Sequence, residues 1–541
     1  MGGGSKAAGM EKREGSRSFS PGVVLIACMT TLPILVLTLG AYHSWSLDWL
    51  RGVTVVSLKG SEDESFISSP APEDKLLGGL LAPGFDEGSC LSRYQSALYR
   101  KASPHLPSRY LQARLRKYEA QHKKCGPGTD PYKKAIEQFK SNHSTGPMEC
   151  NYIVWTPYNG LGNRMLTIAS AFLYALLNNR ILLIHVPKDL DDLFCEPFPE
   201  TSWVLPSDFP IIDQLSSFHI RTPQSYANML RNKVINKNSN GSLPAYVYLH
   251  LNHDYSELDK LFFCEDDQLF LKKFPWLVLK SDNYFIPALF LVPEYEEELR
   301  RLFPSRETVF HHLGRYLFHP TNTVWGMITR YYEAYLGKAE EKMGIQIRIF
   351  QFAPISSENL LDQILNCSRI ENLLPEISLK GSSSSTTKAV RSKSVLVASL
   401  YSGYSEKIRD KYFEHAAAAG EIISVFQPSH EETQHTEKQT HNQKAWAEVY
   451  LLSFSDVLIT SSWSTFGYMA QGLGGLKPYI LALPENRNAP NPPCRRAMSM
   501  EPCFHSPPTY DCKAGKQVDK GALGPHVRHC EDVSRGLKLF D

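Results

Sequence analysis

An arginine lies near the end of a short hydrophobic run that alternates like a β-strand. In GIQIRIF, residues 344–350, three isoleucines alternate with Gln346 and Arg348, and period-two alternation of β-branched residues predicts a strand. An arginine in a buried strand often forms a structural salt bridge. In open α/β sheets, however, ligands bind beyond the carboxyl ends of the strands. Arg348 is therefore either a structural ion-pair partner or a cation that faces a bound anion, and the rest of the chain has to decide.

A glycine-containing turn precedes a predicted helix at residues 159–165. In NGLGNRM, two glycines form the turn, and Asn163 and Arg164 begin the helix. The start of a helix offers free N–H groups and the positive end of the helix dipole, which both attract anions. The turn is also an ordinary strand-to-helix connection, because the third glycine of a dinucleotide-binding G-x-G-x-x-G pattern is missing. The added arginine nevertheless favours an anionic ligand.

A second turn before a helix occurs in SSWSTFGYMAQGLGG, residues 461–475, directly after the predicted strand DVLIT. Ser464 or Thr465 can cap the helix, which is the purely structural interpretation. The same hydroxyls and first-turn N–H groups can equally bind a phosphate. Because this strand and that of Arg348 belong to one predicted sheet, the two strand ends together predict a clamp for a diphosphate.

Carboxylates and imidazoles are concentrated in HLNHDYSELDKLFFC, residues 250–264. Their spacing fits no standard set of metal ligands. The run DLDD, residues 189–192, contains an Asp-x-Asp of the kind that metal-dependent nucleotide-sugar enzymes show, although this tripeptide is common. The residues concerned are His250, His253, Asp254, Glu257 and Asp259 in the first stretch, and Asp189 and Asp191 in the second.

The elements that position these residues alternate between strands and helices. Strand-like runs in the first half are NYIVW, RILLIHV, AYVYLHL and WLVLK, and those in the second half are GIQIRIF, SVLVASLY, EIISVF, DVLIT and PYILAL. Strands that alternate with helices predict parallel sheets. We therefore expect two successive α/β domains, residues 90–341 and 342–541, with a ligand site in the cleft between them.

The amino terminus carries an uncharged apolar span, Val23–Tyr42, which is long enough to cross a bilayer as one helix. Basic residues are more frequent before the span than after it, so we expect a cytosolic tail of residues 1–22 and a luminal stem of residues 43–89. A cleaved signal peptide is the alternative, but the sequence AYHSWSL offers a poor cleavage site. The net charge of +2 gives no indication of nucleic-acid binding.

Cysteine usage indicates an oxidising compartment. Of the eleven cysteines, Cys28 lies in the apolar span, and most of the other ten are expected to pair. Four of them lie at or after Cys494, which predicts a stapled carboxyl-terminal segment. Three N-glycosylation sequons begin at Asn142, Asn240 and Asn366 and fit the same topology.

Several longer stretches resemble the plant cell-wall fucosyltransferase family. They are GLGNRML, DLFCEPFPETSWVLPSDFP, LFHPTNTVWG, GIQIRIF, SSWSTFGYMAQGLGGLKPYI and RAMSMEPCFHSPPTYDCK, and the resemblance covers residues 88–541. Its best-known members add L-fucose in α-1,2 linkage to galactose on xyloglucan side chains. The resemblance implies two Rossmann-like domains that face each other across a cleft, the B-type glycosyltransferase fold. It also implies an inverting enzyme that uses GDP-β-L-fucose and needs neither a metal nor another cofactor.

The resemblance also implies roles for individual residues. Arg348 matches a donor-binding arginine, and Asp259 matches a candidate base in a His-Asp-Lys-like tripeptide, here Leu258-Asp259-Lys260. The histidine of that tripeptide is absent in this chain. The other positions that match donor-binding motifs are Asn163, Arg164, Ser464, Thr465, Phe466 and Gly467.

The expected partners are GDP-fucose, a cell-wall polysaccharide acceptor and the Golgi membrane, with the catalytic part in the lumen. The acceptor is left open among xyloglucan, arabinogalactan and pectin, and a homodimer is also left open. Two other classes compete with this interpretation. One is an inactive paralogue that binds a GDP-sugar or a glycan, and the other is a metal-dependent transferase that uses Asp189 and Asp191.

Overall fold

The computed structural model describes residues 74–141, 148–237, 243–378, 391–513 and 515–541. The predicted cytosolic tail, the apolar span and most of the stem lie outside the described residues, as do Asn142 and Asn240. Within the described ranges, no helix combines the length and the apolar character needed to cross a membrane. The predicted anchor therefore stays a prediction.

A four-stranded parallel sheet forms the core of the first half. Its strands are β1 Tyr152–Thr156, β2 Ile181–Ile184, β3 Tyr246–Leu251 and β4 Trp276–Ser281, in the order β2-β1-β4-β3. These strands coincide with the four runs predicted from the sequence, and almost all of their residues are buried. Near-continuous apolar strands of this kind belong to parallel sheets that are covered on both faces.

A six-stranded sheet forms the core of the second half. Its strands are β5 Glu341–Gln346, β6 Ser392–Ala398, β7 Ile422–Phe426, β8 Val457–Ser461, β9 Tyr479–Leu481 and β10 Cys494–Arg496. The order is β10-β9-β8-β5-β6-β7, and only the edge strand β10 pairs antiparallel with its neighbour. The parallel α/β class expected from the sequence is confirmed, whereas the division of the chain at residues 341/342 stays a prediction.

The strand predicted at residues 344–350 is displaced toward its amino-terminal side, because β5 ends at Gln346. The N–H of Ile347 still donates to the carbonyl of Ala398 across 2.9 Å. The N–H of Arg348 instead donates to the hydroxyl of Ser461 at 2.8 Å, so the ladder stops there. Arg348 therefore lies just beyond the end of the strand.

Helices cover both sheets, and they are numbered here in chain order. They are α1 Leu91–Tyr99, α2 Arg109–Cys125, α3 Asp130–Lys140, α4 Leu161–Leu177, α5 Tyr226–Arg231, α6 Glu265–Leu271, α7 Ile286–Leu289, α8 Glu296–Leu302, α9 Val309–Leu317, α10 Asn322–Tyr331, α11 Ser357–Ile370, α12 Gly403–Glu414, α13 Gln439–Leu452, α14 Thr465–Gly474 and α15 Lys520–Leu523. Short 3-10 helices span Ile212–Ser217, Asp259–Phe263, Pro293–Tyr295 and Arg306–Thr308, and a π-helical turn spans Tyr332–Leu336. Four short strands end the chain: β11 Tyr510–Asp511, β12 Lys516–Gln517, β13 Val527–His529 and β14 Leu537–Leu539.

One continuous hydrophobic core joins the two sheets. It includes residues of β1 and β4 on one side, residues of β6 and β8 on the other, and buried residues of α4, α9, α13 and α14 between them. The glycine Gly472 of α14 permits a close approach, since a Cβ there would lie 2.3 Å from the ring of Phe310 in α9. This packing holds the last turn of α14 against α9.

Five disulfides connect the ten cysteines outside the apolar span, which confirms that most of them pair. The bonds are Cys90–Cys195, Cys125–Cys150, Cys264–Cys512, Cys367–Cys494 and Cys503–Cys530. Of the four carboxyl-terminal cysteines, only Cys503 and Cys530 bond to each other. The other two connect the carboxyl-terminal segment to distant parts of the fold, so that segment is anchored as well as stapled.

The third sequon lies on a helix. Asn366 is exposed near the end of α11, next to the buried disulfide of Cys367. The hydroxyl of Ser368 is buried and donates to the carbonyl of Ile364 at 2.8 Å. Glycosylation of Asn366 stays a prediction.

Candidate active site

A cavity of about 420 Å³ lies at the carboxyl ends of the strands of the second sheet. The strand order reverses between β5 and β8, because β6 and β7 lie on one side of β5 while β8 and β9 lie on the other. Ligands of open α/β sheets bind at such a topological switch point. The cavity wall also includes Asn159, Gly162 and Asn163 from the first half of the chain, so both halves contribute to one site.

Arg348 lies in the wall of this cavity, and its guanidinium has no carboxylate partner among the residues that the structure describes. Its Nη2 donates to the Oε1 atom of Gln434 at 2.6 Å, and its Cζ lies 5.7 Å from the ring centre of Phe350. Burial lowers the pKa of Arg348, yet an arginine stays charged at neutral pH. The structural ion-pair interpretation therefore loses its support, and a half-buried cation faces the cavity.

The start of α14 forms the neighbouring wall. Ser464 is the residue that caps the helix, and its hydroxyl accepts a hydrogen bond from the N–H of Gly467 at 3.4 Å. A Cβ on Gly467 would lie 2.9 Å from the Cβ of Thr460 in β8. A glycine is therefore required for the helix start to approach the strand ends, and Gly467 itself is buried beneath the cavity wall. Phe466 lies in the wall.

The start of α4 meets the start of α14 at the same place. The hydroxyl of Thr465 donates to the Oδ1 atom of Asn163 at 3.2 Å. A Cβ on Gly162 would lie 2.6 Å from that same hydroxyl oxygen, so glycine permits the contact. Two helix amino termini thus converge on one cavity, together with Arg348. This arrangement suits a ligand with a concentrated negative charge, such as a diphosphate.

The side chain of Arg164 lies outside the cavity wall. Its guanidinium pairs with the carboxylate of Asp189, and both side chains are largely buried. Arg164 is not among the residues that form the cavity wall. The Nδ2 atom of Asn442 also donates to the carbonyl of Asp189 at 2.9 Å, so Arg164 connects α4 to the loop after β2 and to α13. The structure thus brings Asn163 to the cavity and places its neighbour in an ion pair.

The same ion pair bears on metal binding. The carboxylate of Asp189 is paired with Arg164, so the Asp-x-Asp of this run does not offer two free carboxylates. In the described part of the chain, one cluster of side chains has ligand atoms close enough to hold a metal: Cys503, Cys530 and Asp532. Its two cysteines are joined in a disulfide and are not available as thiolates.

Asp259 also lies away from the cavity wall. Its side chain is buried, and its Oδ2 atom accepts hydrogen bonds from the N–H of Ser256 at 2.9 Å and from the hydroxyl of Ser256 at 2.6 Å. Burial raises the pKa of its carboxyl group. These contacts describe a residue that stabilises the turn before the short helix Asp259–Phe263.

A histidine–aspartate pair lies beside the cavity and was missed in the sequence. Asp282 follows β4 directly, and its carboxylate contacts the Nδ1 atom of His253 at 2.5 Å and accepts from the N–H of His253 at 2.9 Å. This bond raises the pKa of His253, whose side chain is more than half exposed. Asn159, which lies in the cavity wall, donates to the same carboxylate at 3.0 Å. The carbonyl of Asp282 accepts from Asn163 at 2.9 Å.

A signal for this pair was present in the sequence. Asp282 stands two residues after the end of the run WLVLK, at the carboxyl end of a predicted strand, and the rule that identified Arg348 applies to it equally.

Two glutamates, Glu431 and Glu448, also line the cavity. Hydrogen bonds from His441 and Lys444, both at 2.5 Å, lower the pKa of Glu431 to about 2. Burial instead raises the pKa of Glu448 to about 8, and its carboxyl group accepts from the hydroxyl of Ser429. Glu448 belongs to α13, and no local sequence pattern indicated that it lines a cavity.

The chain is similar to known plant proteins over most of its length. The family model described as xyloglucan fucosyltransferase matches residues 52–513. A galactoside 2-alpha-L-fucosyltransferase of Pisum sativum is 57% identical over 482 residues, which are 89% of this chain and 84% of the relative. An Arabidopsis thaliana protein of the same name is 58% identical over 466 residues, 86% of this chain and 83% of the relative.

A solved structure is also similar. It is that of an arginine-to-lysine mutant of Arabidopsis thaliana FUT1 in complex with GDP, with a TM-score of 0.80 and 57% sequence identity. The match covers 86% of this chain and all of that one.

Proposed function

The chain belongs to the xyloglucan fucosyltransferase family, and from this premise we propose that it moves L-fucose from GDP-β-L-fucose to O2 of a galactose in a plant cell-wall glycan, with inversion. The resemblance found in the sequence is confirmed, and the chain is a glycosyltransferase. The relatives named as galactoside 2-alpha-L-fucosyltransferases support the O2 position. The observation that carries the proposal is Arg348, a cation without a carboxylate partner in the described residues, beside two converging helix starts.

The donor diphosphate occupies the clamp made by Arg348 and the start of α14. Negative charge grows on the β-phosphate as GDP leaves, and the guanidinium offers two aligned donors to it. Donors that are fixed before the reaction need no reorganisation during it. The GDP in the similar solved structure supports a nucleotide in this cavity.

The acceptor hydroxyl loses its proton during the attack, and we propose that His253 is the general base that accepts it. A β-linked donor and an α-linked product require attack from the face opposite the leaving GDP. His253 and Asp282 lie on the side of the cavity formed by the first half, bonded to its wall through Asn159. A histidine oriented by a carboxylate is a common general base. Asp259, with its buried carboxylate held by Ser256, has no comparable position.

The direct test pairs GDP titration with turnover. The full-length protein, purified in detergent, should bind GDP and release GDP from GDP-fucose when a galactose-bearing polymer is added. Xyloglucan without fucose, arabinogalactan and pectic chains form the acceptor panel, since the acceptor loops are the part that the cavity geometry specifies least. Normal GDP binding with no turnover on any acceptor would identify an inactive paralogue.

Chelation should leave the activity intact. The arginine and the helix starts take the place of a cation at the diphosphate, while the Asp189 carboxylate is occupied by Arg164. We expect turnover in EDTA to stay within about twofold of the untreated rate, which is less than the smallest effect of a lost charged contact. Loss of turnover that Mn²⁺ restores would contradict this expectation and would indicate a metal site that includes Asp191.

The proposed location is the Golgi membrane, with Val23–Tyr42 as a single anchor and the catalytic part in the lumen. The uncharged span, its basic amino-terminal flank and the five disulfides support this topology. In intact vesicles, added protease should remove only the short tail and leave a protected fragment that contains residues 43–541. Digestion of the large fragment without detergent would overturn the topology.

A further inference from the structure

Four aromatic rings form a continuous surface at the mouth of the cavity. Phe350 and Phe352 are stacked with ring centres 5.1 Å apart, Phe352 and Trp463 are 5.3 Å apart, and Trp463 and His505 are 5.1 Å apart. We call these four residues the aromatic strip. Phe350, Trp463 and His505 line the cavity, whereas the side chain of Phe352 lies beyond its edge and is 62% exposed. The strip therefore extends from the cavity wall onto the protein surface at Phe352.

The backbone holds the two central rings of the strip, Phe352 and Trp463, in place. The N–H of Ala353 donates to the carbonyl of Phe350 at 3.1 Å, which closes a tight turn with Phe352 at its tip. Trp463 adopts a left-handed backbone conformation with φ 62°, and its N–H donates to the carboxylate of Asp532 at 2.9 Å. A bulky residue rarely adopts that conformation unless its surroundings enforce it, and such strain is concentrated at ligand sites.

A hydrogen-bond chain fixes the fourth ring. The hydroxyl of Tyr468 donates to Asp532 at 2.6 Å and lies 3.1 Å from the Nε2 atom of His505. Burial lowers the pKa of His505, so its ring is uncharged at neutral pH. All four side chains of the strip are thus neutral. Arg348 lies near Phe350, and the Asp532 carboxylate accepts from the backbone N–H of Trp463.

The two ends of the cavity differ in chemistry. One part of the cavity wall carries Arg348, which suits the diphosphate of a nucleotide. Glu431 and Glu448 offer hydrogen-bonding groups to its base and ribose. The strip at the mouth offers ring faces and almost no charge, which suits the apolar C–H faces of neutral pyranose rings. A nucleobase needs one enclosed slot, whereas the strip is open and several rings wide, as a polymer of sugars requires.

We propose that the aromatic strip binds the acceptor polysaccharide and packs the faces of its sugar rings against Phe350, Phe352 and Trp463. The inference rests on the proposed fucosyl transfer and adds the surface that holds the acceptor. Phe352, the outermost ring, contacts sugars beyond the galactose that reacts. A long acceptor therefore gains from Phe352, and a short galactoside that ends inside the cavity does not.

The test replaces Phe352 by alanine in the full-length protein. We expect the KM for a galactose-bearing polymer to rise about 3–10-fold, the effect of one lost aromatic contact. The kcat, the affinity for GDP and the KM for a short galactoside should stay within about twofold. Phe352→Tyr keeps the ring and should restore the KM for the polymer. Phe413→Ala is the matched control, because Phe413 is a phenylalanine of α12 that is 89% exposed and lies outside the cavity wall.

Each alternative outcome is distinct. Weaker GDP binding by Phe352→Ala with an unchanged KM for the polymer would show that the strip holds the nucleobase, and would overturn the proposal. Equal KM values for Phe352→Ala and Phe413→Ala would do the same. A parent protein that binds GDP but transfers nothing to any galactoside would refute the proposed function itself, whereas a failure of the strip alone leaves parent turnover intact.

Discussion

Replacing Arg348 by alanine is expected to lower turnover with GDP-fucose by about 10²–10⁴-fold while the protein stays folded. A hydrogen bond to a charged group contributes about 1.5–3 kcal/mol, and a guanidinium that faces a diphosphate makes two of them. Losing both contacts in the transition state slows the reaction by that factor. Arg348→Lys keeps the charge but loses the planar fork, so a smaller loss of about 10–150-fold is expected.

The melting temperature without ligand separates this role from a structural one. Removing one partner of a buried salt bridge costs about 3–5 kcal/mol of stability. Arg348 has no carboxylate partner among the described residues, so Arg348→Ala should melt close to the parent and bind GDP weakly. Arg409→Ala serves as a control, since Arg409 is an exposed arginine of α12. A large fall in melting temperature with near-normal GDP binding would show that Arg348 serves the fold.

The position of Arg348 beside a cavity could be predicted from the sequence because its signal is local. An alternating strand pattern and a cation near its end fall within seven residues, and the carboxyl-end rule supplies the function. The sequence signals for the two helix starts are equally local, because glycine turns and capping hydroxyls can be recognised in the sequence. The sequence did not show that the side chain of Thr465 contacts that of Asn163. That contact joins elements about 300 residues apart and depends on how the helices pack.

Arg164 shows a limit of assigning residue roles from a sequence motif. Successive positions on an α-helix diverge by about 100° around its axis, so neighbours such as Asn163 and Arg164 face different surroundings. In the structure Asn163 faces the cavity, whereas Arg164 pairs with Asp189. A motif match assigns both residues to one role, whereas the orientation of the helix assigns them to two.

The assignment of the base depends on tertiary pairing, and the role of Asp259 as a base stays a prediction. The sequence offered five histidines and acids within residues 250–264, and Asp259 matched a family tripeptide. In the structure Asp259 bonds to Ser256, three residues away, whereas His253 bonds to Asp282, 29 residues away. The parallel pairing of β3 and β4 places their carboxyl ends side by side, and no local pattern reports that neighbourhood.

His253→Asn should lower kcat by about 10²–10⁴-fold, the usual loss when a general base is removed. The affinity for GDP should stay within a few-fold, because His253 is outside the cavity wall that holds the donor. His415→Asn is the matched control, since His415 is an exposed histidine at the end of α12. Asp259→Asn is the decisive comparison, and we expect it to retain turnover within about tenfold, below the range for a lost base.

The pH profile tests the same assignment independently. A histidine accepts a proton only when it is neutral, and the bond from Asp282 raises the pKa of His253 above its ordinary value of 6.5. Turnover should therefore climb with pH through a midpoint above 6.5 and then level off. Asp282→Asn removes that bond, so the midpoint should shift to lower pH while the plateau falls, because the imidazole is no longer oriented. A midpoint that Asp282→Asn leaves in place, or an Asp259→Asn protein as slow as His253→Asn, would return the role of base to Asp259.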